Sequence, residues 1–153
     1  MSFEENLKKL KIELPDPPAP VGSYTAYIKS GNFIFVSGQI SLEKNGNLIK
    51  GKLGADVDLN LGVKAAKTCA INIIAQLKKA CDNDLEKIKS CIQLSGYVNS
   101  TNDFIDQPKV INGASDLISQ VFGDSGIHTR AAVSANSLPL GAAVEIVSIF
   151  EIK

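Results

Sequence analysis

RAAVSANSLPLGAAVEIVSIFEI, residues 130–152, sets two β-rich runs on either side of a short Leu-Pro loop. Ala131 to Asn136 is a run of small residues, and Ala143 to Ile152 is filled with Val, Ile and Phe, so each reads as a strand. Arg130 opens the first run, and Glu145 interrupts the second. Arg130 is the only arginine of the chain; every other Lys or Arg position holds lysine. A carboxylate set among Ala143, Val144, Ile146 and Val147 needs a partner or loses its charge. If the two strands pair across Ser137–Gly141, Arg130 and Glu145 come near one another. Two readings stay open. One is a structural ion pair, within the chain or at a subunit interface, and spacing alone favours it. The other is a carboxylate receptor, because a guanidinium offers a planar fork of two parallel hydrogen bonds that lysine cannot copy.

Upstream of these strands the helical signals are clear. Pro108 near a first turn and Gly123 at the end bracket a helix. Val110, Ala114, Leu117 and Val121 form its seam, with Ile111, Ile118 and Phe122 beside it. Ile88, Ile92, Leu94 and Val98 share one face of a preceding strand. Before that, Asp58 is placed as an N-cap for a long helix, with Leu59, Val63, Ala66, Ala70, Ile73, Leu77 and Ala80 as a single buried stripe. Tyr24 to Lys29 and Phe33 to Ser37 read as a hairpin around Gly31-Asn32, and Asn45-Gly46 marks a second turn. Ser2 to Glu5 has the form of a capping box, and Phe3, Leu7 and Leu10 follow at helical spacing. Pro15, Pro17, Pro18 and Pro20 then make a stiff connector. Strands and two long helices in this order predict an α+β domain over residues 1–153, with a mixed sheet, both helices on one face, and residues 1–14 as an N-terminal helical extension.

Composition narrows the function. Sixteen acidic residues balance sixteen Lys and Arg, whereas nucleic-acid binding normally leaves a basic excess. A nucleic-acid partner is therefore disfavoured. Cys69, Cys81 and Cys91 lack CxxC spacing, and with a single histidine they predict reduced, buried thiols and no metal site. The charged start MSFEENLKKLK lacks the apolar core of a signal peptide, and no apolar run approaches a membrane span, so a cytoplasmic location is expected. Gly46 to Leu53 falls one residue short of a P-loop, since Leu53 removes the hydroxyl that would hold Mg²⁺. It reads as a lysine-rich loop. His128 has no carboxylate near it in sequence and no Ser or Cys constellation, so it reads as a surface or capping residue and argues against a triad hydrolase.

Taken together, several stretches resemble one family. Arg130-Ala131-Ala132-Val133, Ser137-Leu138-Pro139 and Val144-Glu145-Ile146 are similar to the C-terminal signature R-x-x-V-x(4)-LP-x(4)-VEI of the Rid/YjgF family, the reactive-intermediate imine deaminases, which also carry the legacy label endoribonuclease L-PSP. Gly22-Ser23-Tyr24-Thr25 resembles that family's G-P-Y-S, and Gly31 to Gln39 resembles its G-x-x-x-x-x-SGQ. Asn112 resembles the asparagine that begins the family's second helix. The likeness spans roughly residues 19 to 152, and the N-terminal helix with the extra residues Ile105 to Lys109 resembles a longer branch. Thr25-Ala26-Tyr27 and Ala132 depart from the usual pattern, the last where many members carry cysteine.

The resemblance implies a chorismate-mutase-like fold assembled as a homotrimer, with a ligand cleft at each subunit interface and no cofactor. It implies that Arg130 grips the carboxylate of a small imine or 2-keto acid and that Glu145 positions water and passes protons. Tyr24, Asn112 and backbone near Gly38 and Ala132 would shape the pocket. The activity so implied is a 2-iminobutanoate/2-iminopropanoate deaminase, releasing ammonia and a 2-keto acid. A noncatalytic trimer that binds 2-keto acids is the alternative. The legacy ribonuclease or translation-inhibitor reading fits less well, given zero net charge and no histidine pair.

Overall fold

The computed structural model describes residues 1–153. Strands β1 (Tyr27–Ser30), β2 (Phe33–Ile40), β3 (Ile88–Asn99), β4 (Thr129–Ala135) and β5 (Val144–Ile152) form one sheet in the order β1-β2-β5-β3-β4. Only the β3–β4 pair is parallel, so the sheet is mixed as predicted. Helices α2 (Leu59–Ala80) and α3 (Gln107–Phe122) lie side by side on one face, α2 over β2 and β5, α3 over β3 and β4. The short α1 (Phe3–Lys9) docks on the end of α3. The Phe3 ring meets the Phe122 ring edge-on at 5.0 Å, and the Asn6 amide donates to the Val121 carbonyl at 2.8 Å.

Local chemistry sets these boundaries. The Asp58 carboxylate accepts the Leu61 N–H at 2.8 Å and starts α2. Pro108 sits in the first turn of α3, and Gly123 ends it with φ 58, a left-handed value that glycine adopts without a Cβ penalty. The expected α3 seam is buried throughout, from Val110 to Phe122. Between the helices and the sheet lie Ile73, Leu77, Leu94, Val98, Ile111, Ile146 and Phe150, all fully buried. Truncating one of these to alanine would cost about 2–5 kcal/mol.

The sheet order corrects one expectation with direct bearing on the site. β4 and β5 do not pair: β3 lies between them, hydrogen-bonded to both. Residues 136–143 form a loop, with a tight turn at Pro139–Gly141, that steps across the end of β3. The two strands remain neighbours in sequence, yet β3 takes the central place between them.

Three local expectations also change. β1 begins at Tyr27, not Tyr24, because the ladder with β2 ends where that strand shifts register between Val36 and Gln39. In β3, Ile92 does not share the buried face. A second register shift between Cys91 and Gln93 turns Cys91 inward instead. Helix α2 is buried on more than one stripe from Thr68 to Leu77, since α3 packs along one side of it and the proline connector meets another, where the Gln76 amide donates to the Pro18 carbonyl at 2.9 Å. Leu59, assigned to that stripe, is exposed. The loop carrying Lys52 is irregular chain, and its ammonium is tied to the Asn99 side chain and the Asn136 carbonyl. The three cysteines are free and buried, and no helix is long and apolar enough to cross a membrane.

The sheet face opposite the helices is left open. Phe33 and Phe35 alternate with buried Ile34 and Val36, so they point outward, and Ile28 stands opposite Phe35. Val133 is also exposed.

Candidate functional site

Arg130 lies on β4, an edge strand, level with Leu94 of β3. Its side chain turns towards α3, where every partner is neutral. Nη1 donates to Asn112 Oδ1 at 2.8 Å and to Ser115 Oγ at 3.1 Å, and Nη2 donates to the Pro108 carbonyl at 3.3 Å. No carboxylate pairs with it. A guanidinium carries five N–H donors, so three engaged bonds leave the Nε–H and one Nη2–H unused. Two adjacent donors are what a carboxylate takes in a bidentate contact. Ala132, on the same strand, is partly buried against the core.

Glu145 presents the opposite situation. It sits on β5 opposite Tyr97 and opposite Ile40 of β2, and it accepts no hydrogen bond and forms no ion pair. Its carboxyl rests over Gly38, where a Cβ would stand 2.9 Å from the carboxyl carbon. Any side chain there would displace it. With Tyr24, Gly38, Pro20, Leu42 and Leu140, Glu145 lines an open hollow of about 640 Å³ with mostly apolar walls. Burial among them pushes its carboxyl pKa above the ordinary carboxylate value.

The residues named from sequence therefore fall into two groups. Arg130, Asn112 and Ala132 lie together on the α3 side, whereas Tyr24, Gly38 and Glu145 lie together at the hollow. Within one chain the groups do not meet. Arg130 is level with Leu94, which pairs with Ser148 of β5, so two strand spacings, about 10 Å, separate the strands. Glu145 is three residues further along β5 and alternates with buried Val144 and Ile146, so it faces away from the helices. The intrachain ion pair allowed by sequence is thus absent, because β3 intervenes.

Sequence reading missed Ser115, whereas His128, read as a surface or capping residue, is half-buried with its ring on the Gly126 carbonyl at the end of the turn. His128 does have a serine beside it: its Nε2 lies 2.9 Å from Ser115 Oγ, and its Nδ1 lies 2.6 Å from the Gly126 carbonyl oxygen. One signal was present, since Ser115 follows Asn112 by three residues and so shares its helix face. No group of three or more His, Cys, Asp or Glu side chains comes together to hold a metal.

Comparison with known proteins gives the chain its family. Protein TCP17 of Trypanosoma cruzi is 41% identical over 148 residues, covering 96% of this chain and 92% of its own. The crystal structure of Atu1372 from Agrobacterium tumefaciens, a protein of unknown function, superposes with a TM-score of 0.91 at 45% identity, covering 99% of this chain and 94% of that one. A 2-iminobutanoate/2-iminopropanoate deaminase of Dermatophagoides farinae is 24% identical, over 93% of this chain and 95% of its own. The family described as "YjgF/chorismate_mutase-like, putative endoribonuclease" matches from residue 4 to residue 152, taking in both the Arg130 corner and the Glu145 hollow, and the chain belongs to that family.

Proposed function

We propose that the protein is an enamine/imine deaminase whose cleft is completed between copies of the chain in a homotrimer. The observation that carries this reading is the complementary shortage at the two half-sites. Arg130 has two donors unused and no anion, and Glu145 has a partly buried carboxyl and no cation or donor. Each half lacks what the other offers, and one chain keeps them on opposite faces of its sheet. The open face with Ile28, Phe33 and Phe35 supports assembly, because exposed aromatics on a sheet favour a covering partner. The similarity to a 2-iminobutanoate/2-iminopropanoate deaminase supports the chemistry.

In this reading the carboxylate of a small 2-imino acid lies on the Arg130 fork, and its C=N carbon faces Glu145 of the neighbouring copy. The imine carbon is already electrophilic, so a held water and a proton relay suffice. Glu145 takes a proton as water adds to the carbon, then returns it to the nitrogen. Glu145 next takes the hydroxyl proton of the carbinolamine so formed and passes it to the nitrogen as the C–N bond breaks, so that ammonia leaves with the bonding pair and a 2-keto acid remains. A carboxyl whose pKa is raised by burial is suited to exchanging that proton.

The test is ammonia and keto-acid release from 2-aminoacrylate generated by a coupled enzyme, with wild type beside Arg130→Ala. Loss of release in the variant is expected. If wild type releases nothing above background yet binds pyruvate through Arg130, the protein is a keto-acid binder and not a deaminase.

A further inference from the structure

We infer that Ser115 and His128 are positioning residues for Arg130, forming a hydrogen-bonded chain of fixed polarity that orients the guanidinium; this rests on the reading of Arg130 as a carboxylate anchor. The polarity follows from the partners. The Gly126 carbonyl can only accept, so the 2.6 Å contact requires the proton of a neutral imidazole to sit on His128 Nδ1. His128 Nε2 is then an acceptor, and the only hydrogen the Ser115 hydroxyl can give it, at 2.9 Å, is its own. With that hydrogen committed, Ser115 Oγ turns its lone pairs to Arg130 Nη1, 3.1 Å away. With the imidazole neutral, the chain therefore runs one way only, from Arg130 through Ser115 and His128 to Gly126.

The consequence is geometric. A free serine hydroxyl rotates and can present either its hydrogen or its lone pairs. Presented with its hydrogen, Ser115 would repel Nη1 and let the guanidinium swing. His128 removes that choice. Asn112 Oδ1 holds the second hydrogen of Nη1 at 2.8 Å and the Pro108 carbonyl holds one of Nη2, so the plane of the group is fixed at three points from the α3 side. The two donors left over, Nε–H and one Nη2–H, are then presented in a constant direction. Such support lowers the ordering cost a ligand would otherwise meet on binding.

The packing explains how the chain forms. Ser115 lies one turn after Asn112 on α3, so both reach the same side of the helix. The turn after Gly123 brings the backbone round so that the Gly126 carbonyl and the His128 ring stand beside that face two residues before Arg130.

Pyruvate is the probe, its affinity measured by calorimetry on the intact protein. Ser115→Ala is expected to weaken binding roughly tenfold, the effect of losing one hydrogen bond to a charged group. Ser115→Thr restores the hydroxyl and should return affinity to within about threefold of wild type. That rescue separates orientation from mere space filling. His128→Ala should weaken binding several-fold, because Ser115 regains its rotation. If Arg130→Ala abolishes binding while Ser115→Ala and His128→Ala bind as wild type does, the positioning role is wrong and the anchor stands. If Arg130→Ala itself binds normally, the anchor reading fails, and this inference with it. Should a variant fold poorly, ¹⁵N NMR of wild-type His128 decides independently. A protonated Nδ1 and an unprotonated, hydrogen-bonded Nε2 are expected, and the reverse tautomer overturns the proposal.

Discussion

Arg130 and Glu145 are both charged side chains in partly enclosed settings, yet the fold treats them in opposite ways. Arg130 has three neutral acceptors supplied by α3, two from side chains and one from the backbone at its first turn. Glu145 has none, and stands over the bare backbone of Gly38 beside Tyr24. Neutral dipoles around a guanidinium fix its direction without cancelling its charge. A carboxyl without donors keeps its freedom to gain and lose a proton, and desolvation moves its pKa upward. On the proposed reading, the contrast gives rigidity to the anchor and protonic freedom to the reacting group. It also explains why one chain does not neutralise itself: β3 separates the cation from the acid, so both charges stay available.

The most severe way to break this contrast is Glu145→Gln. The amide keeps the size of the acid but cannot pass a proton, so deaminase turnover should fall by roughly 10²- to 10⁴-fold while pyruvate affinity changes little. Turnover at the wild-type rate would remove Glu145 from the chemistry. Arg130→Lys attacks the other half. An ammonium keeps the charge, but it lacks the planar fork and cannot hold the three α3 acceptors in the same geometry. Pyruvate affinity should drop on the order of tenfold to a hundredfold with the fold intact. Equal affinity by calorimetry would show that charge alone suffices. A milder effect is expected for Gly38→Ala. Its Cβ would stand 2.9 Å from the Glu145 carboxyl carbon and 3.0 Å from one oxygen, so the carboxyl must shift. Turnover should fall roughly tenfold and more than affinity does, because misplacing a reacting group by a fraction of an ångström costs rate first.

Some of this was legible from residues and some was not. The limits of α2 and α3 follow from Asp58, Pro108 and Gly123, which act within one turn of themselves, and the α3 seam follows from its period. The residues of each half-site could be named because the resemblance spans both. Their separation could not. Alternation tells which residues share a face of a strand, but it says nothing of which strand lies next, and β4 and β5 are adjacent in sequence without pairing. The bulge at Ile92 is equally silent, because Cys91 and Ile92 are both apolar and either could face inward. The Ser115–His128 contact spans thirteen residues and a turn, a separation that no helical or strand period marks.

The smallest expected effect concerns stability, and it probes the claim that Glu145 has no partner. Burial raises its pKa in the folded chain above the unfolded value. A raised pKa means the folded state binds the proton more tightly. Its contribution to stability is therefore fully present below the unfolded value, about 4.3 for a glutamate, and is lost as pH rises through the folded value. Above that window the ionised carboxylate sits in its hollow at a cost that Gln would not bear. Glu145→Gln should therefore unfold alongside wild type at low pH and become modestly the more stable of the two as pH approaches neutrality. Because Glu145 remains partly open to water, the gain is small, and only its sign and direction with pH are diagnostic. Thermal unfolding of both proteins across that range, at one protein concentration, checks it. A flat difference, or one favouring wild type as pH rises, would mean that Arg130 of a neighbouring copy stands close enough across the proposed cleft to offset that desolvation. The contrast between a supported arginine and an unsupported glutamate would then hold for the single chain alone.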